Sequence, residues 1–327
     1  MRVLVTGGAG YVGSHCLRRL LDEGHEAVVY DNLWQGHYQA VPEGLLVEGD
    51  LTDEGKLTAL LKDRRIDAVM HFAALALVGE SVNKPDLYYK SNVVGSFHLL
   101  EAMRTSGVRK IVISSTTATY GTPEKMPIAE TTPQQPINPY GFSKLVVERM
   151  LDDYTAAYGF SFAALRYFNA AGAAADGTIG EDHTPESHLI PIVLQVALGQ
   201  RASISIFGDD YPTPDGTCIR DYVHVEDLAS AHLAALERLR SGKSIKVNLG
   251  TGRGYSVREV IDACRTFTGH AIPATIAPRR PGDPPELVAD ALLARELLGW
   301  TPKYTTIESI VETAWNWHRQ HPRGYKT

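Results

Sequence analysis

The chain has 327 residues, enough for one large domain or a large domain joined to a smaller one. Its apolar fraction of 44% supplies a sizeable core, and its formal net charge of −6, without a block of like charge, argues against nucleic acid or an anionic membrane as the main partner. Cys16, Cys218 and Cys264 suggest no disulfide framework and point to a reducing, cytoplasmic setting; no apolar run is long enough to span a membrane, and the 12 scattered histidines show no metal-ligand spacing.

Residues 2–6 form a short apolar, β-branched run that fits a buried parallel strand. The run leads into Gly7, Gly10 and Gly13. Such glycines permit, in turn, a tight turn, close approach of backbone N–H groups to a pyrophosphate, and close helix–strand contact. A helix is predicted over 12–23, its N-terminus offering N–H donors and partial positive charge to phosphates. A second strand over 26–30 ends at Asp31. An acid there accepts from an adenosine ribose and repels a 2′-phosphate, which favours NAD over NADP.

Further parallel strands are predicted over 45–48, 67–72, 110–114 and 161–168, with helices over 53–62, 85–106 and 139–158. This alternation reads as an α/β chain with a Rossmann-type, doubly wound parallel sheet, residues 1–168 forming the NAD-binding domain. Strand ends at Asp50 and at Phe72-Ala73-Ala74 fall along one cofactor crevice. Beyond Phe168 the texture changes to Gly- and Pro-rich loops over 170–186, 208–216 and 278–285. Helices are predicted over 189–199, 226–239, 257–268 and 307–319. Residues 169–327 are expected to form mainly a smaller, interleaved substrate domain, with 223–225 and 246–249, in the region 220–250, returning to the main sheet.

Tyr140 and Lys144 lie four apart, and so share one face of a helix. They follow the hydroxyl run Ser114-Ser115-Thr116-Thr117. A tyrosine is a poor base because its pKa is about 10, and a neighbouring ammonium lowers it. Tyr140 then takes a proton from a sugar hydroxyl while hydride leaves the same carbon, and Thr116 bridges that hydroxyl and the phenol. A lone Tyr-x-x-x-Lys pair is weak. Its place after the fifth strand, behind a hydroxyl cluster, in a chain with a dinucleotide cradle, is what gives it meaning.

The run Val5-Thr6-Gly7-Gly8-Ala9-Gly10-Tyr11-Val12-Gly13, then Ser115-Thr116-Thr117-Ala118-Thr119-Tyr120-Gly121, then Tyr140-Gly141-Phe142-Ser143-Lys144, resembles extended short-chain dehydrogenase/reductases that act on nucleotide sugars. Within them it is similar to the family of 4-epimerases that interconvert UDP-galactose and UDP-glucose. Arg166-Tyr167-Phe168-Asn169, Ile206-Phe207-Gly208, Arg220-Asp221-Tyr222-Val223-His224-Val225, Asn248-Leu249-Gly250 and Arg279-Arg280-Pro281-Gly282-Asp283 extend the resemblance over the whole chain.

The resemblance implies NAD held without net electron exchange. It implies proton removal by Tyr140 with Lys144 and Thr116, a 4-keto sugar that rotates, and hydride return to its other face. It places Gly7, Gly10, Tyr11, Val12, Gly13, Asp31 and Asn32 at the cofactor. Asp50, Leu51, Phe72, Ala73, Ala74, Asn92, Ser114 and Tyr167 join them there. It assigns the UDP-hexose to Asn169, His188, Leu189, Ser205, Phe207, Arg220, Tyr222, Arg280 and Asp283, with no metal. It also implies a homodimer through the helices over 85–106 and 139–158, with Leu87, Val94, Leu99, Val146, Val147 and Met150 as the apolar face.

Three departures stand out. Ala76 replaces a cofactor-contacting lysine, His188 replaces an asparagine, and Leu287 sits where the fit of a 2-acetamido group is decided. The His188 charge is expected to vary with pH. The alternatives are a 4-epimerase of UDP-glucuronate, UDP-arabinose/xylose or UDP-N-acetylhexosamine, a nucleotide-sugar 4,6-dehydratase, and a non-catalytic nucleotide sensor. The dehydratase needs an Asp-Glu pair where Thr117 and Ala118 stand, and the sensor would lack Tyr140 or Lys144.

Overall fold

Val3 and Val5 enter one hydrophobic cluster and Leu4 enters another, because alternate residues of a doubly covered strand face opposite sides. This is the first strand of a computed structural model that describes residues 1–240, 242–280 and 282–326. Pro281, in the expected proline-rich loop, lies outside the described residues.

The first half alternates: β1 (Arg2–Thr6), α1 (Tyr11–Asp22), β2 (Glu26–Asp31), β3 (Leu46–Glu48), α2 (Glu54–Asp63), β4 (Ala68–His71), α3 (Val78–Asn83), α4 (Pro85–Tyr88), α5 (Gly95–Ser106), β5 (Lys110–Thr116), α6 (Pro139–Tyr158) and β6 (Ser161–Tyr167). The second half is more broken: β7 (Asn169–Ala171), α7 (Leu189–Ala197), β8 (Ile204–Phe207), β9 (Ile219–His224), α8 (Val225–Arg238), β10 (Ser244–Leu249), β11 (Gly254–Ser256), α9 (Val257–Thr268), β12 (Ala274–Ala277), β13 (Glu286–Leu287), α10 (Leu292–Leu298) and α11 (Ile307–Gln320).

One 7-stranded sheet runs in the order β10-β6-β5-β4-β1-β2-β3. Every pairing in it is parallel. Cys16, Leu17 and Leu20 of α1, with Leu228 and Leu236 of α8, cover one face. Leu57 and Leu61 of α2, Leu99 of α5 and Leu151 of α6 cover the other. Each such fully buried leucine contributes about 1.5–3 kcal/mol before entropy is counted. A separate core joins Val193 and Leu194 of α7, Ile261 of α9 and Ile310 of α11 to Ile204, Ile206 and Tyr222.

The structure corrects the sequence reading in two places. The helix expected over 85–106 is interrupted by a π-helical turn, Tyr89–Val94, which turns Asn92 into the interior. Such turns cluster at functional sites, and no local residue pattern announces this one. The segment over 246–249 does return to the main sheet as β10, beside β6. The segment over 223–225 does not: β9 pairs with β7, β11 and β13 in a separate small sheet.

Candidate active site

The carboxyl ends of β1, β2, β3, β4, β5 and β6 share one edge, as parallel pairing requires, and the predicted cofactor residues lie along it. At Gly7, φ is +71° and an added Cβ would lie 2.4 Å from the Ala73 amide nitrogen. At Gly13 an added Cβ would lie 2.1 Å from the Gly7 carbonyl oxygen. Gly10 differs. Its φ is −83°, and an added Cβ would approach only Gly7 O, at 3.4 Å. Nothing inside the protein demands glycine there, so what it keeps open is the outer side. No side chain caps α1, so its first-turn N–H groups are left for an anion. The cradle therefore fits a dinucleotide pyrophosphate.

Asp31 is buried at the end of β2, where its Oδ2 accepts from Ala9 N at 3.0 Å and its Oδ1 from Leu33 N at 2.9 Å. Burial raises its pKa, and these N–H bonds oppose the rise. Asn32 donates to Asp50 Oδ2 at 2.8 Å, tying the ends of β2 and β3. Thr52 donates to Asp50 Oδ1 through both its amide and its hydroxyl. Leu51 packs into the core. Phe72 packs on His232 at 4.9 Å, and Ala73 and Ala74 follow it half-buried. Tyr11 is engaged elsewhere: its hydroxyl donates to the Gly172 carbonyl at 2.6 Å and ties α1 to the second half of the chain. Val12 packs on the core from the first turn of α1.

The chemistry-bearing group sits where β5 meets α6. Asn138 caps α6, its Oδ1 accepting from Gly141 N at 2.8 Å, and Pro139 starts the helix. Tyr140 and Lys144 follow on one face. Lys144 is buried and donates to the Ser114 carbonyl at 3.0 Å. Burial lowers its pKa to about 8, with Glu148 pulling the other way. Burial raises the Tyr140 pKa, and the neighbouring Thr116 side chain opposes that rise. Ser114 also bonds the Tyr167 hydroxyl. Asn92 donates to Ser143 Oγ at 3.0 Å and to Leu75 O at 3.0 Å, and its Oδ1 accepts from Leu75 N at 2.8 Å. Its amide is fully used in clamping the 73–77 loop to α6, so Asn92 positions the site. Ala76 is exposed on that loop.

One network was missed in the sequence. Glu148, one turn beyond Lys144, is buried and accepts from Arg166 Nε at 2.9 Å and from Ser115 Oγ at 2.6 Å. Arg166 Nη1 donates to the Tyr120 hydroxyl at 2.8 Å, which donates to Asn248 Oδ1 at 2.7 Å. The network locks β5, β6 and α6 around the hydroxyl cluster. An arginine inside the apolar strand Ser161–Tyr167, with an acid four residues past Lys144, was the available signal.

In the second half of the chain, Arg220 Nη2 pairs with Asp283 Oδ1 at 2.9 Å. Its chain neighbour Asp221 takes no part, being buried under Thr251, Gly252 and Ala289 amide donors. The Arg280 guanidinium lies 4.0 Å over the Phe207 ring, which is 37% exposed. Phe207 is therefore no core residue; it shares the outer face of β8 with Ser205. Tyr222 is buried in the third core, where Asn169 is its strand partner. Leu287, on β13, packs near Tyr120, Ile128 and Phe168.

His188 and Leu189 begin α7. His188 Nδ1 lies 2.7 Å from Glu181 Oε1 and 3.0 Å from Glu186 Oε1. Burial would lower its pKa, but the two carboxylates win and hold it well above 6.5. Against the variation expected around neutral pH, the direction of this shift favours the protonated form in the metal-free protein. Glu181, His183, Glu186 and His188 bring four ligand atoms within 4.8 Å of one another, a grouping that the histidine spacing did not disclose.

For dimerisation, Leu99 and Val147 face their own sheet, contrary to expectation. Tyr89, Val94, Phe97 and Phe142 are exposed on the same helices. Among the described residues, no helix is long and apolar enough to cross a membrane.

Residues 3–250 match the model of the NAD dependent epimerase/dehydratase family. A protein of Halalkalibacterium halodurans named UDP-glucose 4-epimerase is 56% identical over 328 residues, covering 100% of this chain and 98% of its own. A crystal structure of a UDP-glucose 4-epimerase superposes with a TM-score of 0.96 at 51% identity, covering 100% of both chains. The Bifidobacterium longum UDP-glucose 4-epimerase, in complex with NAD+ and UDP, superposes with a TM-score of 0.95 at 41% identity over 99% of this chain and 100% of that one. The chain belongs to the NAD dependent epimerase/dehydratase family, among relatives that carry the name UDP-glucose 4-epimerase.

Proposed function

We propose that the chain is an NAD-dependent isomerase that interconverts UDP-galactose and UDP-glucose at C4. The observation that carries this reading is Tyr140 and Lys144 on one face of α6, which starts just past the hydroxyl cluster at the end of β5. Full-length similarity to UDP-glucose 4-epimerases supports the substrate. NAD, when bound, supplies the acceptor and donor of hydride.

The chain's own residues do the rest. Thr116 aligns the sugar hydroxyl with the Tyr140 oxygen, and Lys144 favours the phenolate through space. Tyr140 removes the C4 hydroxyl proton as hydride leaves that carbon, and returns it after the 4-keto sugar has turned over. Such rotation needs a firm hold on the nucleotide and few bonds to the sugar. Arg220, Arg280 and His188 suit the diphosphate, Phe207 and Leu189 the base, and Asp283 and Ser205 the uridine ribose or base edge. Asn169 bonds phosphate or sugar, and Tyr222 supports that wall from the core. Thr117 and Ala118 carry no acid–base pair for loss of water, which disfavours a dehydratase.

In this reading residues 1–168 hold NAD and 169–327 mainly hold the UDP-sugar. Exposed Tyr89, Val94, Phe97 and Phe142 suit a homodimer face, which light scattering tests: a monomer rules it out. The three buried free cysteines suit a cytoplasmic setting. The decisive experiment is a coupled assay with UDP-galactose and no added NAD, with Tyr140→Phe alongside. UDP-glucose formed by wild type and lost in the variant is expected. No product even with added NAD overturns the substrate assignment.

A further inference from the structure

Away from the catalytic tyrosine, the loop before α7 gathers Glu181, His183, Glu186 and His188. Glu181 is 3% exposed, yet its Oε1 has no aligned hydrogen-bond donor, and neither does His183 Nδ1. These two atoms face each other at 3.2 Å. Glu181 Oε1 is 2.7 Å from His188 Nδ1, and Glu186 Oε2 is 3.6 Å from His183 Nδ1. Glu186 Oε1 is held by the Ser187 and His188 amides, at 2.7 and 2.8 Å, which leaves Oε2 to point inward. A buried carboxylate whose close neighbours fail to donate to it is costly.

The 3.2 and 3.6 Å spacings of His183 Nδ1 from the two carboxylates fit a different partner, and His188 Nδ1, at 2.7 Å from Glu181 and 3.0 Å from Glu186, needs only to move out by less than about 1 Å to join it. Four ligands about 2.0–2.2 Å from one zinc ion stand roughly 3.3–3.6 Å apart at the edges of a tetrahedron. Two imidazoles and two carboxylates are a zinc-type set, and two carboxylates balance the dication. A polar cavity of about 210 Å³, lined by Glu181, His183, Glu186, His318 and Arg323, gives the ion an entry. Tyr11, from the cofactor helix, stands edge-on to His183 at 6.2 Å, so the cluster braces the loop against the dinucleotide side.

We propose that Glu181, His183, Glu186 and His188 form a structural zinc site that fixes the loop leading into α7. All four ligands are protein groups, so the ion brings no reaction of its own. The site would hold His188 at the substrate wall through Nδ1.

The test uses full-length protein purified without metal-affinity steps, stripped with chelator and equilibrated with one equivalent of Zn2+ in the presence of a chromophoric competitor. One ion retained per chain, and a Co2+ form with the intense visible bands of tetrahedral coordination, are expected. Glu181→Gln and His183→Gln should each lose the ion by at least tenfold in affinity, with circular dichroism confirming the fold. No retained ion, an octahedral Co2+ spectrum, or retention unchanged in the variants overturns the proposal. Should both variants fail to fold, X-ray absorption of the wild-type zinc form decides alone: two imidazoles are required. Epimerase activity is read separately, so an active protein that fails to retain the ion defeats this site and leaves the functional reading standing.

Discussion

Gly10 and Gly13 look interchangeable in sequence, and the structure predicts opposite consequences for replacing them by alanine. At Gly13 the new Cβ would lie 2.1 Å from Gly7 O, against the 3.4 Å at which ordinary contact begins. Helix α1 must then retreat from β1 by more than 1 Å, and overpacking of this kind costs about 1–3 kcal/mol or more. At Gly10 the backbone is already in a region open to alanine, and the contact is at 3.4 Å. The fold should be untouched, but the methyl group would occupy the pyrophosphate approach. Losing two N–H bonds to a charged phosphate, at about 1.5–3 kcal/mol each, weakens NAD binding roughly 10²- to 10⁴-fold. The assay pairs thermal unfolding of NAD-stripped protein with titration calorimetry of NAD. Gly10→Ala should melt like wild type and bind poorly, and Gly13→Ala should melt lower. Wild-type NAD affinity in Gly10→Ala would refute the cradle argument.

Arg166→Leu leaves Glu148 buried with only Ser115 and a distant Gln134 as donors and should destabilise by about 3–5 kcal/mol, whereas removing both charges together should recover part of the loss; thermal melts of the single and double variants check this. Lys144 has a folded pKa of about 8, below its ordinary 10.5. Between those values the unfolded chain holds the proton that the fold does not, so stability rises with pH across that window. Lys144→Met should therefore melt higher than wild type at pH 7, with the gap narrowing towards pH 10.5, while its activity collapses. A gap that does not change with pH would contradict the burial argument. Leu287 predicts weak turnover of UDP-N-acetylglucosamine beside UDP-galactose, and comparable rates on the two sugars would refute it.

The strands and long helices of the first half were legible because buried parallel strands are short apolar runs and their crossovers carry helical periodicity. The cradle and the Tyr140–Lys144 pair were legible because their spacing is itself the chemistry. The π-helical turn at Tyr89–Val94 was not, since it arises from packing of α4 and α6 against it. Nor was the Arg166–Glu148 network, whose partners are 18 residues apart and meet only once β6 lies beside β5. The Arg280–Phe207 stack and the Arg220–Asp283 pair join segments more than 60 residues apart in sequence, a relation set by tertiary folding alone.

The last strand of the large sheet, β10, comes from residues 244–249, long after β6 has ended at Tyr167. On a ribosome, the nascent chain would therefore expose the backbone of β6, with its apolar flank, until some eighty further residues had been made. An open edge of that kind invites pairing with another chain. The late-arriving strand closes it, so a transcript cut short before residue 244 should yield an aggregating fragment rather than a free-standing dinucleotide binder.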